Sequence, residues 1–101
     1  MPERVVRLAR STRTGKKYMA RVRDTATGRE RTIHFGQRGM QQFRDSALRL
    51  YAGMDHRDPR RRRSYFRRHS GEASKTEALR KERRLAGGRL TAKILSHTYL
   101  W

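Results

Sequence analysis

Positive charge is the feature that most limits how this chain can fold. It contains 27 lysines and arginines against 9 acids, which gives a net charge of +18. Leucine, isoleucine, valine and phenylalanine together number 16, so little apolar surface is available for a core. A small core gives little stability to set against repulsion between like charges. We therefore expect a single small basic domain, residues 1–101, that needs a polyanion or an acidic protein as its partner.

The kind of basic residue indicates fixed contacts with that partner. The chain has 22 arginines and 5 lysines, and 13 of these 27 residues lie in residues 1–50. A guanidinium group pairs with phosphate or carboxylate through two parallel hydrogen bonds, whereas an ammonium group acts as a point charge. Because the charge is spread along the chain, we expect several basic faces rather than one basic tail.

The sequence lacks features on which several classes of protein depend. It has no cysteine, which excludes disulfides and thiolate metal sites. No apolar run approaches the ~20 residues of a membrane helix, and no signal-peptide segment follows Met1, so we expect a protein that acts or is packaged inside a cell and does not span a membrane. A glycine-rich phosphate loop and a nucleophile elbow are also missing. We expect no enzyme activity, no cofactor and no small-molecule substrate.

The first part of the chain has the two-residue period of β-strands. Residues 16–23 alternate best, with Tyr18, Ala20 and Val22 on one face and Met19, Arg21 and Arg23 on the other. Residues 4–10 place Val6 and Leu8 on one face, and residues 29–35 do the same with Arg31, Ile33 and Phe35. The connections 11–15 and 24–28 each end in a glycine that suits a hairpin loop. The sequence predicts a three-stranded antiparallel meander within residues 1–39.

A helical period follows the turn at residues 36–39. Apolar residues recur at helical spacing and predict a helix over about 40–52 that lies on the sheet and supplies much of the core: Met40, Phe43, Ala47, Leu50, Tyr51 and Met54. Asp45 and Arg49 have the i,i+4 spacing of a supporting ion pair.

Further helices are predicted from start and stop signals. An arginine-rich helix covers about 59–69, and a polar helix over about 75–86 starts with a Ser74–Glu77 capping box. Leu90, Ile94, Leu95 and Thr98 suggest a short final helix. The predicted fold class is α+β: a small single domain with a β-meander in residues 1–39, then three to four short helices in residues 40–101.

Large apolar groups end the chain at Tyr99, Leu100 and Trp101. This segment either folds back to close the core over the sheet or inserts into a neighbouring subunit. The small apolar inventory of residues 1–70 favours folding back, with Trp101 at the edge of the core.

The stretch from Tyr51 to His69 contains the candidate site. Asp58 suits a helix N-cap and Pro59 suits the first turn, so the following arginines are predicted to lie on a short helix. The candidate residues for binding a polyanion or acidic partner are all arginines: Arg57, Arg60, Arg61, Arg62, Arg63, Arg67 and Arg68. The residues expected to build the structure around them are Asp55, His56, Asp58, Pro59, Tyr65, His69, Leu100 and Trp101.

The same stretch also contains residue types that can bind metals, catalyse hydrolysis or stack on bases. Asp55, His56, Asp58 and His69 are suitable metal ligands, but their spacing matches no ligand motif, so capping and packing roles are favoured. The four histidines also lack the partner spacing of a nuclease or phosphodiesterase. Tyr65 and Phe66 would stack on unpaired bases if exposed, but a chain with so few large apolar groups needs them in its core. Phosphate contact by the arginines is compatible with either interpretation.

Short motifs in a fixed order run through most of the chain: Lys17-Tyr18, Ala20-Arg21, Phe35-Gly36, Gly39-Met40, Phe43, the block from Met54 to His69 with Asp55-His56, Asp58-Pro59, Tyr65 and Arg68-His69, and finally Leu95-Ser96 and Leu100-Trp101. In these residues the chain resembles a family of short, basic, mostly uncharacterised proteins of large nucleocytoplasmic double-stranded DNA viruses. It departs from that pattern where Ala73-Ser74 follows Glu72 and where residues 75–84 form a charged insertion.

The resemblance implies a non-enzymatic, virion-associated protein. The first hypothesis is a minor capsid protein that cements acidic surfaces of the shell, with the major capsid protein or neighbouring minor capsid proteins as partners. The alternative is a sequence-independent DNA-binding or condensing protein packaged with the genome. Either protein would be found in the virion, and in the host cytoplasm or nucleus during assembly.

Overall fold

Three antiparallel strands in chain order form the sheet. The computed structural model describes residues 2–101, so Met1, the first residue of the predicted domain, lies outside the described residues. The strands are β1 (Glu3–Arg10), β2 (Lys16–Asp24) and β3 (Glu30–Gln37), paired in the order β1-β2-β3. The predicted meander is confirmed, with strand ends within two residues of those expected.

The second hairpin shows how local chemistry sets this topology. Asp24 accepts hydrogen bonds through Oδ1 from the backbone N–H groups of Ala26 (2.8 Å) and Thr27 (3.2 Å). Gly28 has a φ of 75°, a left-handed conformation that costs glycine little, and its N–H donates to the Asp24 carbonyl at 2.8 Å. The aspartate and the glycine therefore turn the chain back at this point.

The predicted inward face of β1 is correct at Leu8 and wrong at Val6. Val5 lies opposite Val22 and Leu8 opposite Ala20, and the register shifts between Val5 and Arg7. A bulge inserts one extra residue and so reverses the alternation beyond it. Val6, expected to face the core with Leu8, is 37% exposed.

The predicted helix over 40–52 is also wrong. The segment 38–58 is irregular apart from a single 3-10 turn, Ala52–Met54, and an isolated bridge between Gln42 and Asp55. Met40 and Leu50, assigned to the buried face, are 56% and 46% exposed. Ala47 and Tyr51 do pack against the core.

Buried polar groups fix this segment in place of helical hydrogen bonds. The fully buried Asp45 carboxylate accepts hydrogen bonds from the Tyr18 hydroxyl and from the N–H groups of Ala47 (3.0 Å) and Tyr51 (3.0 Å). The predicted pair with Arg49 does not form, and Arg49 has a φ of 60°. An aspartate that bonds nearby backbone N–H groups competes with helix formation.

A buried lysine joins this segment to the sheet. Lys17 is 2% exposed, and its ammonium group donates to the Met40 carbonyl (2.6 Å) and to the Gln42 side chain. Burial lowers the pKa of Lys17, while the charges of Asp45 and Asp55 oppose that shift. Polar contacts therefore hold this segment on the sheet, where a packed helix was expected.

The remaining helices follow the sequence signals. They are α1 (Pro59–Ser70), α2 (Lys75–Ala86) and α3 (Ala92–Tyr99). Ser74 accepts from the Glu77 N–H at 3.2 Å, and Thr91 accepts from the Ile94 N–H at 3.1 Å. The α+β class, with an antiparallel sheet followed by helices, is confirmed. Across residues 2–101, every helix is too short or too polar to cross a membrane.

The core lies between the sheet and the C-terminal part of the chain. Its largest cluster contains Tyr18, Ala20, Val22, Ile33, Phe35, Leu95 and Leu100. A second cluster joins α1 to α2 through Tyr65, Phe66 and Ala78, with Trp101 packed at its side. The prediction that the last residues fold back over the sheet is confirmed, because Leu100 is 2% exposed and partly buried Trp101 packs against both clusters.

Candidate functional site

The arginine-rich helix α1 has a cap at each end. The Asp58 carboxylate accepts from the N–H groups of Arg60 (2.9 Å) and Arg61 (3.5 Å), and Pro59 occupies the first turn. Gly71 ends the helix in a left-handed conformation, with a φ of 72°. The predicted start at Asp58-Pro59 is confirmed. The helix therefore begins immediately before its first arginine, Arg60.

One side of α1 is anchored in the second core cluster. Phe66 is fully buried and Tyr65 is 7% exposed, so the prediction that they are core residues is confirmed. The Trp101 ring stacks on Tyr65 with ring centres 4.0 Å apart and planes 3° from parallel. These rings are not available to stack on bases.

Arg62 differs from the other candidate arginines. Its Nε donates to the Trp101 carbonyl at 2.9 Å, and its guanidinium carbon lies 4.4 Å from the centre of the Phe43 ring. It is half-buried. Arg62 therefore holds α1 to the C-terminus and to the segment 38–58.

The exposed side of α1 carries five arginines. Arg60, Arg63 and Arg67 follow each other at helical spacings of three and four residues, and Arg61 and Arg68 lie beside them, seven residues apart. All five are exposed, as is Arg57 in the preceding loop. We call these six residues the arginine face.

The arginine face has no acidic counterpart within residues 2–101. The ion pairs of this part of the chain use Glu3, Glu30, Glu77 and Glu82, and none of these pairs involves an arginine of the face. Arg61 donates to the neutral Gln41 side chain at 2.7 Å. Like charges three and four residues apart destabilise a helix, so the face carries a repulsion that an anionic partner would relieve.

The four residues that are suitable as metal ligands have other partners in the structure. Asp55 accepts from the Gln42 amide (2.6 Å) and the Asp45 N–H (2.8 Å), and His56 accepts through Nδ1 from the Asp58 N–H (2.9 Å). The His69 ring centre lies 4.5 Å from that of Tyr65. No group of three or more such ligands converges in residues 2–101. Asp58 caps α1, Asp55 and His56 form hydrogen bonds within the segment 38–58, and His69 packs on Tyr65.

A buried histidine supports α1 from behind. His97 is fully buried on α3, with Nδ1 2.9 Å from the Tyr65 hydroxyl and Nε2 2.8 Å from the Ser70 hydroxyl. Ser70 in turn donates to Glu82 at 2.9 Å. Because the Ser70 hydroxyl gives its only proton to Glu82, it must accept from the Nε2–H group of His97. Nδ1 of His97 is then unprotonated and accepts from the Tyr65 hydroxyl. The chain of bonds joins α1, α2 and α3. Sequence reasoning missed it, because its members are brought together only by folding.

Acid is expected to weaken the protein through His97. Burial lowers the pKa of His97 from its usual 6.5 to about 4, an effect that Glu82 opposes and that His69, Lys93 and Lys75 reinforce. As the pH falls below 6.5, His97 takes up a proton in the unfolded chain but stays neutral in the folded chain. Stability is therefore full above pH 6.5 and is lost down to about pH 4, by about 3 kcal/mol in total. Urea unfolding between pH 7.5 and 4.5 measures this loss.

The matched variant is His97→Gln, which keeps hydrogen-bonding groups but does not titrate. It should be less stable at pH 7.5 and should show a flatter dependence on pH. Some slope remains, because burial also lowers the pKa values of His34, His56 and His69. Parallel pH profiles for the two proteins would contradict the assignment to His97.

Comparison with known proteins finds a family match for part of the chain. Residues 6–47 match the profile of a family of unknown function (DUF5754). The matched segment contains most of the sheet and ends at Ala47, before α1 begins. No curated protein and no solved structure matches the chain.

Proposed function

We propose that this chain is a non-enzymatic structural protein that binds an acidic protein surface through the arginine face. By the resemblance of its motifs, that surface belongs to the shell of a large DNA virus particle, in which the chain acts as a minor capsid protein. The observation that carries the proposal is the arginine face itself: six exposed guanidinium groups that form no ion pair within residues 2–101.

The contacts that hold α1 in place support this role. Its buried side is held by Arg62, by the Tyr65–Trp101 stack and by the bond from Tyr65 to His97. The backbone of a helix fixed in this way has little freedom left to lose, and that lowers the entropic cost of binding. Guanidinium–carboxylate pairs would then set the register between the two surfaces.

The occupant of this face is an acidic protein rather than single-stranded nucleic acid. Proteins that bind single strands need exposed aromatic rings on which bases stack. The aromatic residues of α1 are Tyr65 and Phe66, and both are buried. Carboxylates need only the guanidinium groups that the arginine face supplies.

Poly-L-glutamate should stabilise the full chain, and the arginine face should carry most of that effect. At a concentration a hundredfold above its Kd, a ligand of the folded state adds about 2.7 kcal/mol, which corresponds to roughly 10 °C or more in Tm for a domain of this size. The variant R60Q/R63Q/R67Q should lose most of this shift. The control R80Q/R83Q/R84Q removes the same charge from α2 and should keep it.

Equal losses in the two variants would show that net charge, not the arginine face, binds the acidic polymer. Particles provide the second arm. Shells emptied of their genome by nuclease and salt should retain the protein, whereas release together with the genome would contradict a capsid role.

A further inference from the structure

The uncovered face of the sheet is a second basic surface, separate from the arginine face. The helices and the segment 38–58 pack on the face that carries Tyr18, Ala20 and Phe35. The strand register places four exposed arginines on the other face: Arg4, Arg7, Arg21 and Arg23. We call this surface the open sheet face.

The arginines of the open sheet face stand in opposed pairs. Arg4 lies directly across from Arg23, and Arg7 across from Arg21. Like charges at opposed positions of an antiparallel pair destabilise a sheet. Two such pairs side by side are difficult to explain by folding alone, because neutral polar residues would serve the strands as well.

A single carboxylate partly compensates this charge. Glu30, on β3, accepts from Arg23 Nε at 2.8 Å and lies 3.6 Å from Arg21 Nη1. Arg4 and Arg7, on the edge strand, form no ion pair within residues 2–101. The open sheet face therefore keeps a clear excess of positive charge.

The surface between these arginines is a depression lined by small or flexible side chains. A depression of about 290 Å³ is lined by Arg7, Ala9, Met19, Arg21 and Thr32. The register places no aromatic side chain other than His34 on this face, and His34 is bonded to the Ser11 hydroxyl at 2.7 Å. The face has no platform for stacking unpaired bases and little apolar surface to enter a membrane.

We propose that the open sheet face binds double-stranded DNA through its phosphate backbone. The four arginines lie on two neighbouring strands about 5 Å apart, and a duplex presents a continuous row of phosphates along each side of a groove of about 12 Å. Arginines on neighbouring strands suit such rows because each guanidinium bonds a phosphate through two parallel hydrogen bonds. Contacts of this kind position a protein on DNA without selecting a sequence.

The test compares the full chain with two variants of equal charge. R7Q/R21Q removes one opposed pair from the open sheet face, and R83Q/R84Q removes two exposed arginines from α2. Binding to a 20-bp duplex is followed by fluorescence anisotropy at several salt concentrations. At 0.15 M salt, R7Q/R21Q should raise the Kd roughly tenfold to thirtyfold and lower the salt slope by about 2, as expected for two lost phosphate contacts. R83Q/R84Q should change the Kd by no more than about threefold.

Three results would overturn the proposal: equal weakening in both variants, unchanged binding by R7Q/R21Q, or tighter binding of a single strand than of a duplex of equal charge. An R7Q/R21Q protein that binds DNA normally but loses poly-L-glutamate would identify an acidic protein as the occupant instead. If R7Q/R21Q does not fold, the edge-strand variant R4Q/R7Q gives the same test without breaking an ion pair. The variants that remove each basic surface share no residue, and only the α2 controls overlap, at Arg83 and Arg84, so either proposal can fail alone.

Discussion

Deletion of residues 99–101 is expected to abolish cooperative folding. Leu100 is 2% exposed and fills the core beside Gly36, where an added Cβ would lie 2.9 Å from the leucine Cδ1. Trp101 stacks on Tyr65 and accepts from Arg62. Loss of a buried leucine and of a packed tryptophan costs about 2–5 and 3–5 kcal/mol, and a domain has only about 5–15 kcal/mol of stability in all.

The backbone of these residues adds to the effect. The Tyr99 carbonyl accepts from the Ser46 N–H (2.8 Å), and the Leu100 carbonyl accepts from the Arg44 N–H (3.1 Å). These bonds tie the irregular segment 38–58 to the end of the chain. The truncated chain should therefore lose order in that segment as well as in the core.

Thermal unfolding followed by far-UV circular dichroism checks this prediction. The control is Leu85→Ala, because Leu85 is 70% exposed and its loss should change stability by no more than about 0.5 kcal/mol. A truncated chain that melts cooperatively near the full-length Tm would contradict the prediction. If that chain also failed to enter particles, the last residues would belong to an interface with a neighbour.

The strands were predictable because their signal is local. Tyr18, Ala20 and Val22 alternate with polar residues, and that period survives in the sheet. The inward face of β1 was not predictable, since a bulge at Val6 depends on pairing with β2 and leaves no mark in the sequence of β1. Strand existence could therefore be predicted from the sequence, whereas the register of the edge strand could not.

The helix predicted over 40–52 failed for a different reason. Its apolar spacing was real, but Asp45 and Gln42 are buried by contacts with Tyr18 and Lys17, more than twenty residues away. Such contacts override a local period, and sequence spacing does not reveal them. The same limit applies to Arg62, whose neighbours in sequence are exposed arginines and whose partners are Phe43 and Trp101.

The helix caps and the arginine face were predictable, because capping and helical spacing are local. Asp58 and Gly71 mark the ends of α1, and every arginine between them except Arg62 falls on its exposed side once the helix forms. The chemistry of the partner could not be predicted from these local signals. Guanidinium groups bind carboxylate and phosphate alike, so the choice between them depends on what surrounds each basic surface.

Replacement of Phe66 by alanine is expected to cost about 3–5 kcal/mol. Phe66 is fully buried in the cluster that joins α1 to α2, with its ring centre 5.2 Å from that of Tyr65 and 5.0 Å from that of His97. Removal of the ring leaves a cavity where the helices meet, and the network around His97 keeps them from closing it. Urea unfolding at pH 7.5 measures the loss.

Phe43 provides the matched comparison, because the sequence predicts both phenylalanines to be core residues. In the structure Phe43 is partly exposed and packs on Arg62 and, edge-on, on His56. Phe43→Ala should therefore cost only about 1–2 kcal/mol, the range of a cation–π contact with partial burial. Equal costs for the two substitutions would contradict the packing described for α1. A folded Phe66→Ala protein with weakened binding to single-stranded DNA would show instead that this ring serves as a stacking platform.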